Sequence, residues 1–264
     1  MIWLLAYAAA GAFVGLLSGL LGIGGGMTLV PILAALFDAG ALAPGHGVHL
    51  ALGTAMATAV VTAGASTRAH HLRGSVDWRI AARLAPGMIA GSMLASLASG
   101  WIAQRQLALA FALIVYGGAT QMLLGRRTVA AVALPGRLAT LLIGLVIGVV
   151  CGLVAAGGAF LTVPWMLLCG VPMLTAIGTS AALAVPIVLV GTVGYVATGW
   201  HVQDLPPHAV GFVYLPALVA LVLASMPMAS AGAHLAHRLP VVVLRRIFAL
   251  LLYALATRMA VHYW

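Results

Sequence analysis

Gly15-Leu-Leu-Ser-Gly-Leu-Leu-Gly-Ile-Gly-Gly-Gly-Met-Thr-Leu-Val-Pro31 lies inside the first long apolar run of a 264-residue chain. Gly148-Val-Val-Cys-Gly-Leu-Val-Ala-Ala-Gly-Gly-Ala-Phe-Leu-Thr-Val-Pro164 lies inside the fifth, at a constant offset of 133 residues that pairs Gly24 with Gly157, Gly25 with Gly158 and Pro31 with Pro164. A second match follows at an offset of 125, where Gly53-Thr54-Ala55-Met56-Ala57 meets Gly178-Thr179-Ser180-Ala181-Ala182 and Gly74 meets Gly199. The recurring order of Gly-rich interruption, Gly-Thr dipeptide and loop glycine makes the chain a duplicated four-segment unit.

Working outward from these stretches, runs of about 20 apolar residues cover 2–37, 48–67, 80–101, 107–125, 138–169, 175–198, 209–236 and 241–262. The runs are continuously apolar and rich in Ala and Leu, so they predict transmembrane helices; barrel strands would alternate at every second residue. Composition agrees, with 64% apolar residues, a mean hydropathy of +1.19 and 6% charged residues, where soluble domains carry about 25%. The expected fold is an all-α integral membrane protein in two homologous halves. Residues 1–125 form the first repeat, 126–137 a cytoplasmic linker and 138–264 the second.

All twelve basic residues are Arg, and the acids are Asp38, Asp77 and Asp204. A net charge of +9 on a soluble domain would point to nucleic acid, but these arginines sit between apolar runs and read as topology signals. Nucleic acid is therefore not an expected partner; the lipid bilayer is. If all eight segments cross fully, eight arginines share one side against four. If segments one and five are instead hairpins that enter to the glycine interruption and return, each half crosses three times and the halves are inverted. Ten arginines then share one side, leaving Arg105 and Arg258 opposite. Inversion fits the positive-inside rule better.

Cys151 and Cys169 both lie in apolar stretches, which excludes a disulfide scaffold. The opening Met1-Ile2-Trp3-Leu4 lacks the basic start of a signal peptide, so residues 1–22 are read as mature structure.

Three near-consecutive glycines cost a helix roughly 1 kcal/mol each, and unwound backbone at membrane depth is tolerated only inside protein or beside a water-filled cavity. Paired interruptions in two halves point to a transporter's binding site. The pieces beginning near Met27 and Phe160 offer amide N–H groups and the positive end of a helix dipole, which bind anions without a cationic side chain. The competing reading is that the glycines only let helices pack closely. Thr28, Thr54, Thr58, Thr162, Thr179 and Ser180 add hydroxyls near the interruptions, although membrane Thr and Ser often bond their own helix.

The histidines read as mostly interfacial, with His234 and His237, three apart on one helix face, the one spacing that keeps a metal or haem role open. A zinc-hydrolase His-Glu-x-x-His is excluded because the chain has no Glu, and neither a P-loop nor a Gly-x-Ser-x-Gly is present. All three aspartates fall in or beside loops, so the carboxylate relay of many coupled pumps is not visible. The chain reads as a secondary carrier, not an enzyme, with no cofactor. A haem-holding redox protein and a structural subunit are the rival readings.

The Gly-x-x-x-Gly-x-x-Gly-Ile-Gly-Gly-Gly opening with Pro31, the Gly-Thr dipeptide, Gly74-x-Val-Asp77 and their repetition after residue 140 resemble the sulfite exporter TauE/SafE family over essentially the whole chain. The resemblance implies a multi-pass permease of the bacterial inner membrane that moves small sulfur-containing or organic anions, such as sulfite or sulfonates, commonly outward. Ala159 in place of a glycine and Pro206-Pro207 after segment six depart from the pattern. The expected substrate site comprises Gly24, Gly25, Gly26, Thr28, Thr54, Gly157, Gly158, Thr162, Thr179 and Ser180, with Arg68, His71 and Arg73 at the cytoplasmic mouth. Its expected ligand is a small anion, and assembly into a homo-oligomer is left open.

Overall fold

The computed structural model describes residues 2–21, 25–124, 135–236 and 241–264. These form ten helices: α1 (Ile2–Leu21), α2 (Gly26–Ala39), α3 (Gly47–Leu72), α4 (Trp78–Ser99), α5 (Gln104–Leu124), α6 (Arg137–Val154), α7 (Ala159–Leu168), α8 (Met173–Gly199), α9 (Leu215–Ala236) and α10 (Val241–Tyr263). Helices α3, α4, α5, α6 and α8 are each long and apolar enough to cross a membrane. The chain is an all-α membrane protein, and segments one and five are each split in two at the glycine interruption.

Segment seven begins as helix later than its hydropathy predicts. Ala209–Val210 and Val213–Tyr214 form a two-rung antiparallel ladder, β1 and β2, before α9 starts at Leu215. Gly211 turns this ladder at φ +54° and lies so close to the Val196 backbone that a methyl group there would overlap it. Local backbone packing overrides the apolar run.

Glycine spacing sets the closest helix contacts. Gly11 and Gly15 seat α1 on the backbone of α9 at Leu221 and Ser225, while Gly144 and Gly148 seat α6 on α4 at Leu84 and Met88. These pairs are equivalent at the 133-residue offset, so one packing device serves both halves, and both contacts run parallel. Small residues let backbones approach where lipid offers no hydrophobic drive for helix association.

Equivalent helices of the two halves meet antiparallel. Thr67 of α3 donates to the Ala181 carbonyl of α8 at 2.8 Å, whereas Met56, near the start of α3, packs on Gly191, near the end of α8. Likewise Tyr116 of α5 bonds Thr257 of α10 at 2.6 Å, and Thr120, one turn on, bonds Tyr253. Helices α3 and α8 hold equivalent places in the repeat, as do α5 and α10, so the two halves are inverted.

Both split segments are hairpins. Gly40, just beyond α2, lies beside Trp3 at the start of α1, and the Tyr7 and Phe37 rings pair at 5.9 Å, so α2 returns to the face from which α1 began. In the second half α6 begins beside the start of α4, and α8 begins against Ser75 of the α3–α4 loop. The chain between them, α7 included, must therefore come back to the same face. This arrangement puts Arg68, Arg73, Arg79, Arg83, Arg137 and Arg246 on one face and Arg105 and Arg258 on the other; Arg126, Arg127 and Arg238 lie outside the described residues.

Candidate functional site

The two interruptions meet in the middle of the molecule. Gly25 and Gly26 are level with Thr58 and Thr62, midway along α3, and with Ser225, midway along α9. Gly157 lies against Ala184, midway along α8, and Gly158 against Met88, midway along α4. Gly26 touches the backbone of Ala155 so closely that a methyl group would overlap its carbonyl. The first break thus packs on the second, and Gly24 falls outside the described residues.

Backbone conformation explains why each helix stops. Ala155 ends α6 in the left-handed region at φ 51°, and the Ala156 N–H returns to the Cys151 carbonyl at 3.1 Å. Gly158 opens α7 at φ +86°, a conformation glycine adopts without the steric penalty of a Cβ. Gly25 opens α2 at φ −80°. Because both openings are glycines, no side-chain oxygen caps the first amides of α2 or α7. The N-terminal amides of α2 and α7 are thus without side-chain caps at mid-depth, a setting that favours negative charge, while the Ala155 carbonyl at the end of α6 faces Gly26.

The expected hydroxyls divide into two groups. At the breaks, Thr28 Oγ1 donates to the Gly25 carbonyl at 2.8 Å and Thr162 Oγ1 to the Gly158 carbonyl at 3.0 Å. Ser180 bonds Thr162 at 2.6 Å, tying α8 to the second break, and all three side chains are buried. Thr54 and Thr179 are not brought to the breaks. Thr54 Oγ1 accepts the Tyr214 N–H at 3.0 Å and Thr179 Oγ1 accepts the Asp77 N–H at 2.9 Å, each holding a connecting loop. The Gly-Thr repeat is a loop-docking device, since Gly53 and Gly178 lie directly under the carbonyls of Phe212 and Ser75.

Arg68, His71 and Arg73 are exposed at the end of α3 on the Arg-rich face. The Trp78 indole donates to His71 Nδ1 at 3.4 Å, fixing the start of α4 against the end of α3. Asp77 caps α4 by accepting from the Arg79 and Ile80 N–H groups at 2.9 and 3.1 Å.

Next to the first break is a cavity of about 20 Å³ bordered by Gly25, Gly26, Ser18, Thr58, Thr62 and Ser225. It has room for roughly one water molecule. Its described lining mixes glycines and hydroxyls with the apolar side chains of Val14, Leu29 and Leu221 and holds no charged side chain. Ser18 and Ser225 were not singled out from sequence. Ser18 had a signal, because the 133-residue offset pairs it with Cys151, whose Sγ lies against Gly158; Ser225 had none.

Among the described residues the histidines do not gather at the breaks. His49 is buried with Nε2 facing the Ser99 and Ile102 carbonyls at 2.9 and 3.2 Å, and His201 and His208 are exposed. The His234 side chain and His237 lie outside the described residues. Among the described residues no group of three or more His, Cys, Asp or Glu side chains could hold a metal ion.

Comparison with known proteins follows this geometry. A sequence model of the family described as sulfite exporter TauE/SafE matches residues 7–259. A "Probable membrane transporter protein" of Haemophilus influenzae is 31% identical over 250 residues, covering 94% of this chain and 95% of its own. A protein of the same description from Xylella fastidiosa strain 9a5c is 31% identical over 195 residues, covering 72% of this chain and 70% of its own. No solved structure matches the chain.

Proposed function

The chain belongs to the sulfite exporter TauE/SafE family, and from that premise we propose that it moves small anions, sulfite or organosulfonates, by alternating access around the two glycine breaks. Membership makes it a multi-pass membrane transporter; substrate, site and mechanism are our reading. The observation that carries it is the contact of Gly26 with Ala155, which sets the N-terminus of α2 against the second break at mid-depth, three residues before Gly158 opens α7, with no carboxylate or arginine lining the cavity among the described residues.

An anion stripped of water must find hydrogen bonds to replace its hydration. The amides opening α2 and α7 supply donors, and the N-terminal end of each helix supplies partial positive charge. Ser180, Thr28 and Thr162 surround these donors with hydroxyls. Such a site holds an anion less tightly than a buried arginine would, and a carrier must also release its cargo. The positive-inside rule puts the Arg-rich face in the cytoplasm of a bacterial inner membrane, where Arg68, His71 and Arg73 concentrate anions at the mouth. Residues 1–125 and 138–264 are then the two repeats, joined through the cytoplasmic stretch 126–137, most of which lies outside the described residues.

A thermal-stability screen of the purified protein against sulfite, thiosulfate, sulfonates and carboxylates tests the reading. Bound ligand stabilises by mass action, so sulfite or a sulfonate should raise Tm in a saturable way. Equal, unsaturable effects of all salts would contradict it.

A further inference from the structure

The loop-docking hydrogen bonds of Thr54 and Thr179 have a symmetry that the packing of a single connection would not require. Thr54 in the first half accepts the backbone N–H of Tyr214, the last residue before α9 in the second half. Thr179 in the second half accepts the backbone N–H of Asp77, the last residue before α4 in the first half. Each bond therefore joins the halves, and inversion places the Tyr214 bond on the Arg-poor face and the Asp77 bond on the Arg-rich face. Both threonines are fully buried. Other threonines here do what membrane threonines usually do: Thr58, Thr120, Thr192 and Thr198 donate to the carbonyl four residues earlier.

The docking is close as well as polar. Gly53 and Gly178 admit the loop carbonyls of Phe212 and Ser75 to distances that no Cβ would allow. Each dipeptide is thus a seat for the opposite half's loop at one end of the route to the central breaks. Both seats are occupied in this structure.

We propose that Thr54 and Thr179 are gate-positioning residues: the Thr179–Asp77 bond holds the cytoplasmic side shut, the Thr54–Tyr214 bond holds the outer side shut, and transport breaks them one at a time. This rests on the alternating-access reading above. A buried amide left without its acceptor is costly, so removing one hydroxyl weakens the closed form of that side and shifts the population toward opening there. Since the halves are inverted, the two removals act in opposite directions, an outcome that a merely structural threonine does not produce.

The test is side-specific labelling. In a Cys151→Ser, Cys169→Ser background, Thr62→Cys at the cavity reports access to a membrane-impermeant maleimide from either face, and exposed Gln203→Cys marks the Arg-poor face. Thr179→Val should raise labelling of position 62 from the Arg-rich face several-fold and lower it from the other. Thr54→Val should do the reverse, and Thr→Ser at either site should restore the parent ratio. Should a valine variant fail to fold, the Thr→Ala and Thr→Ser pair at that site carries the test, alanine shifting the ratio as stated and serine returning it. Shifts in the same direction, no shift, or opening on the face away from the altered bond would overturn the proposal. Flux of radiolabelled sulfite in the parent separates the two readings. Mirror-image labelling without sulfite flux leaves the gates standing and removes the substrate, whereas flux with unmoved labelling removes the gates alone.

Discussion

Gly26, the first residue of α2, rests on the carbonyl of Ala155, the left-handed residue that ends α6. Residues 129 positions apart in sequence thereby join the two breaks into one structural unit, in which the opening of α2 and the end of α6 share one contact. A Gly26→Ala exchange puts a methyl group into the Ala155 carbonyl. It should abolish anion flux and lower Tm by several degrees, because the overlap is with backbone and cannot be relieved by a rotamer change; an unchanged melting curve would show that the breaks do not touch.

Glycines within the helices have different duties. Gly148 packs against the Met88 backbone, whereas Gly64 has nothing within 4 Å of a Cβ position. Gly148→Ala should therefore separate α6 from α4 and cost about 1–3 kcal/mol, as overpacking does. Gly64→Ala should be neutral or stabilise by up to about 1 kcal/mol through helix propensity. Thermal melts of the two purified variants in detergent check the contrast.

Ala155 holds φ 51° with a Cβ, which costs about 1–2 kcal/mol relative to ordinary helical geometry. Its counterpart at the 133-residue offset is Gly22. Ala155→Gly should relieve that strain and raise Tm, provided the gain exceeds the extra chain entropy glycine brings to the unfolded state. A fall in Tm would mean that the methyl group contributes more by packing than its conformation costs.

Asp77 links the cap of α4 to the loop held by Thr179. Asp77→Ala should lose roughly 1 kcal/mol of capping, while Asp77→Asn, which keeps an acceptor oxygen, should lose much less. Equal destabilisation by both would assign the effect to charge on the Arg-rich face.

Much of this architecture was legible before any coordinates. Offsets of 133 and 125 exposed the duplication, and the distribution of arginines favoured inverted hairpins, because both are carried by residue types that lipid and loops sort strongly. The division of labour within a motif was not legible. Gly15 and Gly25 read alike in sequence, yet one seats a helix and the other opens a break, since the difference lies in which backbone approaches. Thr54 and Thr179 shared a repeat position, which correctly marked them as equivalent. Nothing local could say that their partners were loop amides 160 and 102 residues away. Ser225 reached the cavity only through the parallel packing of α1 on α9, a long-range contact with no repeat signature.

The central claim is that anions cross at the glycine breaks, and the most direct measurement is uptake of radiolabelled sulfite into proteoliposomes by the parent and by Gly25→Leu. Gly25 suits this test better than Gly158: its φ of −80° accepts a side chain, and the nearest obstacle is the movable Val14 side chain. Saturable sulfite flux in the parent, lost in a Gly25→Leu protein that still folds and inserts, is the predicted result. Equal flux through both proteins would contradict the claim.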